Sequence, residues 1–156
     1  MNTLWNFLYN LVLSLWIGGM SIFTFIITPA IFRSFGRDMA GEIVGKLFPG
    51  YFLENIIFSV AALVFFLLTG FPPSAAGHRL SLFLIVVAIL INLFVSFRLH
   101  PEIKKVKEEI HSFEARPPDA PARVQFSRLH AVSAVLNLIV LADGLVLLLI
   151  VTSVRR

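Results

Sequence analysis

The 156-residue sequence contains no cysteine, which excludes disulfides, thiolate metal sites, iron–sulfur clusters and thiol catalysis. Charge is scarce as well: only 14% of residues are Asp, Glu, Lys or Arg, too few to cover the surface of a small water-soluble domain. The sequence also lacks a nucleophile motif, a glycine-rich phosphate loop and the His/Asp/Glu spacing of a catalytic zinc site. It therefore assigns no catalytic residue and leaves open whether the protein is an enzyme. Nucleic acid is not expected as a partner, because the basic residues flank apolar spans instead of forming a patch of their own.

What remains is apolar. Hydrophobic residues make up 58% of the chain, 16 of them Phe, and the mean hydropathy is +0.88. The expected fold is all-α: a polytopic membrane protein, one transmembrane domain over 1–156, with spans at about 4–32, 51–71, 80–99 and 129–152. The first span is uncharged and too long for the core of a signal peptide, so it reads as a retained helix. After it, Met39, Ile43 and Leu47 recur at fourfold spacing behind Asp38, predicting a short interfacial helix with Pro49 opening the second span. Pro72, Pro73 and Gly77 predict a tight turn over 71–78. Beyond His100, the residues Ile103, Val106, Ile110 and Phe113 alternate by three and four among charged neighbours. Helices 3 and 4 should therefore extend past the bilayer as a helical hairpin, with Asp119 and Pro121 opening the last helix. TPAI at 28–31 and HPEI at 100–103 occupy similar places in the two halves.

The connections after spans one and three, with their flanks, carry ten of the thirteen Lys and Arg residues. These should face the cytoplasm, placing both termini on the other side of a bacterial inner membrane, with anionic lipid headgroups as partners of the basic loops.

The spans are not plain hydrocarbon. At 100° per residue, His130, Ser133, Asn137 and Gly144 fall within about 60° of one another, and every span carries an asparagine on a polar side: Asn10, Asn55, Asn92 and Asn137. Without water in the membrane, such groups must meet polar groups on neighbouring helices. A hairpin between spans 3 and 4 would bring His100 and His130 to similar heights, where two imidazoles can hold haem iron or a transition metal. The alternative is that both are headgroup anchors or packing residues; His78 and His111 read as exposed, without a specific role. Asp143 and Glu54 are candidates for a proton or ion site, since an acid inside a membrane is costly. Asp143 points about 140° away from the His130 stripe and equally suits a hydrogen bond across a helix or oligomer contact. Glu54 can also pair with Arg98 or Arg128 at the interface.

Three segments resemble a known family: PAIFRSFGRDMAGEIVGKLFPGYF (29–52), the end of span 3 from Asn92 to Glu102, and FSRLHAVSAVLNL (126–138). They are similar to the small membrane domain of unknown function found in eukaryotic transmembrane protein 205 and in short bacterial proteins. The resemblance covers most of the chain and implies a four-helix membrane protein. More distantly, WIGG followed by TPAIF looks like the opening of copper-resistance and haem-dependent porphyrinogen oxidase membrane proteins. Those families carry a haem-ligand His before that Trp, where this sequence has Tyr9 and Asn10. Any haem here would have to use His100 and His130.

The resulting expectation is a binding or electron-transfer module holding haem b or a transition metal between His100 and His130, with Asn92, Ser133 and Asn137 around it; no cofactor at all is the alternative. Two competing readings are a small transporter with a polar path and Asp143 as its coupling site, and a structural subunit or homo-oligomer within a larger membrane complex.

Overall fold

The structure is a computed structural model that describes residues 2–70 and 76–154. Among these residues it is all-helical, with four rods long and apolar enough to cross a membrane: α1 (Thr3–Ser34), α2 (Arg37–Leu68), α3 (Gly77–Ile110) and α4 (Pro121–Ser153). Each exceeds thirty residues, about 45 Å at 1.5 Å per residue, so each outruns a hydrocarbon core of about 30 Å. α1 packs on α2 and α4, and α3 packs on α2 and α4, closing a four-helix bundle. The end holding the 35–36 and 111–120 connections is called the basic end below. The turn expected over 71–78 lies largely outside the described residues; its last two, Gly77 and His78, already belong to α3.

Burial follows a membrane logic. Tyr9, Leu13, Trp16, Ile85, Val140 and Leu147 form the fully buried interior, while Ile26, Phe83, Phe97 and Leu149 stand exposed along the spans. The outer surface of the rods is thus as apolar as the interior, as lipid contact requires. Gly144 permits the α1–α4 crossing: a Cβ there would lie 2.8 Å from Ile17 Cγ1.

Two prolines that should interrupt helices do not end them. A proline inside a helix lacks a donor, and its ring meets the carbonyl four residues earlier. α1 resolves this with a π-helical turn, Phe23–Ile27, in which the Thr28 N–H bonds Phe23 O; Pro29 follows and the rod continues to Ser34. α3 repeats the device with Val95–Leu99, His100 N–H to Val95 O, and Pro101. The wider turn carries one more residue and moves the obstructing carbonyl aside. TPAI and HPEI therefore mark the same local solution in both halves.

The short interfacial helix expected after span one is corrected by the structure. Arg37–Leu68 is one continuous helix with Pro49 inside it. Its buried face at the basic end is Ala40 and Val44, whereas Met39 and Leu47 of the expected apolar face are exposed. Polar ties hold this extension upright: Lys107 Nζ donates to Gly41 O at 2.6 Å, and Asp38 accepts from Ser112 Oγ and Phe113 N, both at 2.6 Å. Lys107 lies along the side-chain-free face made by Gly41 and Gly45. These bonds hold the Asp38 carboxyl below the usual range, the Ser112 hydroxyl foremost and the Phe113 N–H next.

The expected extension of helices 3 and 4 is present. α3 runs to Ile110 with Val106 and Ile110 buried, and α4 begins at Pro121. Phe113 packs edge-on against Phe126 with ring centres 4.9 Å apart, and the Arg123 guanidinium sits over Phe113.

Candidate functional site

Polar side chains from all four rods meet near the middle of the bundle. Trp16 Nε1 on α1 donates to Asn55 Oδ1 on α2 at 2.8 Å, and Asn55 Nδ2 donates to its own helix at Tyr51 O. Asn92 Nδ2 on α3 reaches Asn55 O and Ser59 Oγ, both at 3.4 Å. One helical turn nearer the basic end, the Tyr51 hydroxyl donates to Asn137 Oδ1 on α4. Asn137 Nδ2 in turn donates to Thr24 Oγ1 in the π-helical turn of α1 at 3.0 Å. The Tyr51 ring stacks on Phe23 with centres 4.2 Å apart. Asn55, Ser59 and Asn92 are buried. Amides suit this work because each offers donors and an acceptor at once, so one side chain can bridge two helices.

Of the four asparagines singled out by sequence, three join this network. Asn10 instead donates to Asn6 O on its own helix. Trp16, Thr24, Tyr51 and Ser59 are functional to the network yet absent from the sequence-derived site. A tryptophan in mid-span was the available signal, since a buried indole N–H needs an acceptor.

The two histidines take different surroundings. His100 stands edge-on to Phe48 and Phe52 of α2, at 5.6 and 4.9 Å between centres. His130 is exposed and stacks on Phe126 of its own helix. Contacts along the bundle also fix their heights. His100 lies level with residue 50 of α2, between Phe48 and Phe52, and Asn137 lies level with Tyr51. His130 precedes Asn137 by seven residues on a rod parallel to α2, so it falls about six residues nearer the basic end than His100, roughly 9 Å. The expected meeting of His100 and His130 at one height is therefore corrected: no ring contact or hydrogen bond joins them among the described residues. The two rings do not meet: one lies against α2 and the other on Phe126 of its own helix. Nor does any group of three or more His, Cys, Asp or Glu gather to hold a metal ion among the described residues.

Ser133 is half-buried on α4. Ser96, in the second π-helical turn, has a buried hydroxyl without a partner among the described residues. Glu54 leans over Gly19 of α1, where a Cβ would fall 2.5 Å from its Oε1, and its carboxyl stays exposed. Arg98, a possible partner for it, pairs instead with Glu102 one turn along α3, at 3.5 Å. Asp143 sits on α4, one residue from Gly144 and therefore turned about 100° from the α1 contact. Its Oδ2 is buried and accepts no hydrogen bond among the described residues. Glu54 and Asp143 thus occupy different seams and do not form one site. His78 is half-buried against Phe66 at 5.0 Å, not exposed as expected, while His111 is exposed and takes a positive φ of 57° at the end of α3.

A family model described as a domain of unknown function, DUF4149, matches residues 11–112. The chain belongs to this family. The matched region runs from the first turns of α1 through α2 and α3 to Ser112, so it holds Trp16, Thr24, Tyr51, Asn55, Ser59 and Asn92, while Asn137 lies beyond it. No curated protein and no solved structure matches the chain. The DUF4149 region therefore supplies three of the four rods and both π-helical turns, and α4 completes the polar network from outside it.

Proposed function

We propose that this integral membrane protein is a binding subunit: a rigid four-helix scaffold that presents groups at its lipid-facing edges to another membrane component. The observation that carries this reading is the Tyr51–Asn137–Thr24 and Trp16–Asn55–Asn92 network, which commits the polar stripes of all four rods to one another. A transporter needs polar groups free to line a path, and here Trp16, Thr24, Tyr51, Asn55, Asn92 and Asn137 bond across helices to one another. Kinship with the membrane domain of transmembrane protein 205 is part of the reading, since KLFPGYF supplies Tyr51 and FSRLHAVSAVLNL supplies Asn137. So is an orientation with the basic end in the cytoplasm and both termini outside, with anionic headgroups at Arg33, Arg37, Lys104 and Lys105.

The cysteine-free chain allows a direct test. Single cysteines at Ser59 and Lys105, in protein reconstituted into liposomes opened to both sides, are treated with a small water-soluble thiol reagent. Lys105→Cys reacts and Ser59→Cys stays unmodified if the interior is a closed scaffold. Equal reaction rates would reveal a water path and favour transport.

A further inference from the structure

We propose that the edge of α4 at Asp143 is a docking site for a transmembrane helix of another protein that carries a Lys or Arg at mid-membrane depth. This deepens the binding-subunit reading and rests on it.

Depth comes first. Arg128 precedes Asp143 by fifteen residues, and α4 runs on without a further charged residue from Asp143 to Ser153, so the carboxyl lies roughly 20 Å of helix from Arg128 and deep within the apolar stretch, near the centre of the bilayer. An ionised carboxylate there is among the most expensive groups a membrane protein can carry, and such groups are retained where they pair. Among the described residues the pairing is missing. Oδ2 is buried against the protein and accepts no hydrogen bond among the described residues. The polar network that satisfies Asn55, Asn92 and Asn137 does not extend to it.

Direction comes second. Asn137 and Gly144 mark the side of α4 that meets α1. Asp143 is turned away from that contact, toward the edge where α4 packs along α3. Val140 and Leu147 close the interior behind it, being 1% and 0% exposed, while Ile139 and Val146, one turn to either side, are 41% and 39% exposed. The acid is thus half-buried on the rim of an apolar helix face. This is an arrangement another helix can cover: Ile139 and Val146 supply the packing ridge and Asp143 the specific contact. Charge chooses the occupant. A second copy of this chain would bring one unpaired acid against another, whereas a basic residue on a foreign helix neutralises the carboxylate and gives its buried oxygen a donor.

The test uses a synthetic transmembrane peptide of leucine and alanine with one lysine at its centre, beside the same peptide with leucine in that place. The full-length protein, labelled with a donor dye at Thr152→Cys, is reconstituted with acceptor-labelled peptide in zwitterionic vesicles, and energy transfer is titrated. The lysine peptide should associate about tenfold more strongly than the leucine peptide. Asp143→Asn, nearly isosteric, should abolish that preference, and Glu54→Gln should keep it. Equal binding of the two peptides to the parent protein, or a lysine preference that survives Asp143→Asn, would overturn the proposal. Self-association that needs Asp143 and no peptide would give the surface to a second copy and overturn it equally. The thiol-accessibility result at Ser59 is independent of all these outcomes, so loss of the docking site and loss of the scaffold reading are told apart.

Discussion

The Tyr51 hydroxyl of α2 and the Asn137 amide of α4 join two rods that face each other across the bundle, each flanked by α1 and α3. Asn137 turns its other end to Thr24, so a single side chain binds α4 to α1 and α2 together. Tyr51→Phe removes one donor and leaves the ring stacked on Phe23. It is expected to cost about 1 kcal/mol, in line with interhelical hydrogen bonds in other membrane bundles. Asn137→Leu should cost more, because it strips partners from both Tyr51 and Thr24. Denaturation in mixed micelles, run as a double-mutant cycle, should return a coupling of similar size between the two positions; additive effects would show that the bond does not form.

Gly144 is a contact and not a hinge. Gly144→Ala forces a methyl group to within 2.8 Å of Ile17 Cγ1, and a shift of that kind in a packed interior costs about 1–3 kcal/mol. Ile17→Ala should restore part of the loss in the double variant. A Gly144→Ala protein as stable as the parent would mean that α1 and α4 do not approach so closely.

The π-helical turn at Val95–Leu99 should depend on the proline that follows it. Phe97 is 73% exposed, so deleting it removes little packing and returns the turn to ordinary helical geometry. The ring of Pro101 then meets the carbonyl four residues before it, at a cost of about 3 kcal/mol. Deletion of Phe97 alone should lower the midpoint of thermal unfolding sharply, and adding Pro101→Ala should recover most of it. Equal midpoints for the two proteins would count against the account of the turn.

At the basic end, Asp38 ties α2 to the connection after α3. Its folded carboxyl ionises at lower pH than a free Asp, whose value is about 3.9, mainly through the Ser112 hydroxyl and then the Phe113 N–H. The charge therefore stabilises the folded state at every pH above the free value, and that contribution fades as pH falls through the lower folded value. Protease cleavage in the 111–120 connection should accelerate below about pH 4 in the parent protein and be fast at all pH in Asp38→Asn. Indifference of Asp38→Asn to cleavage would remove the tie from the account.

The separation of His100 from His130 also has a spectroscopic consequence. Protein purified with a haem supply should show no bis-histidine haem spectrum. A Soret band of that type lost in both His100→Ala and His130→Ala would place the two rings on one iron, contrary to the register of α3 and α4.

Much of the fold was legible in the chain because lipid leaves few options: long apolar runs can only be helices, and loop charges mark their ends. The faces were harder to read. Asn55, Asn92 and Asn137 stood out, but the helical period says which residues share a side, not which neighbour that side meets. His100 thus faces α2, when pairing along the hairpin had suggested α4. Pro49 misled, since α2 runs on through it, whereas wider turns precede Pro29 and Pro101 inside their rods. Met39 and Leu47 gave the right period with the wrong face, because both the inner and outer surfaces of α2 are apolar. Asp143 was visible as an anomaly; only the rods around it show that its buried oxygen has no partner among the described residues.

The most direct test of the closed polar interior is solvent exchange at the indole protons of the two tryptophans, followed by NMR in lipid nanodiscs, with Trp5→Phe for assignment. Trp16 is 1% exposed and bonded to Asn55, while Trp5 is half-buried near the end of its rod. The Trp16 signal should persist for hours in heavy water while that of Trp5 fades within minutes, and Asn55→Leu should abolish the protection. Equally rapid loss of both signals in the unmodified protein would mean that water reaches the middle of the bundle, and the scaffold reading would not stand.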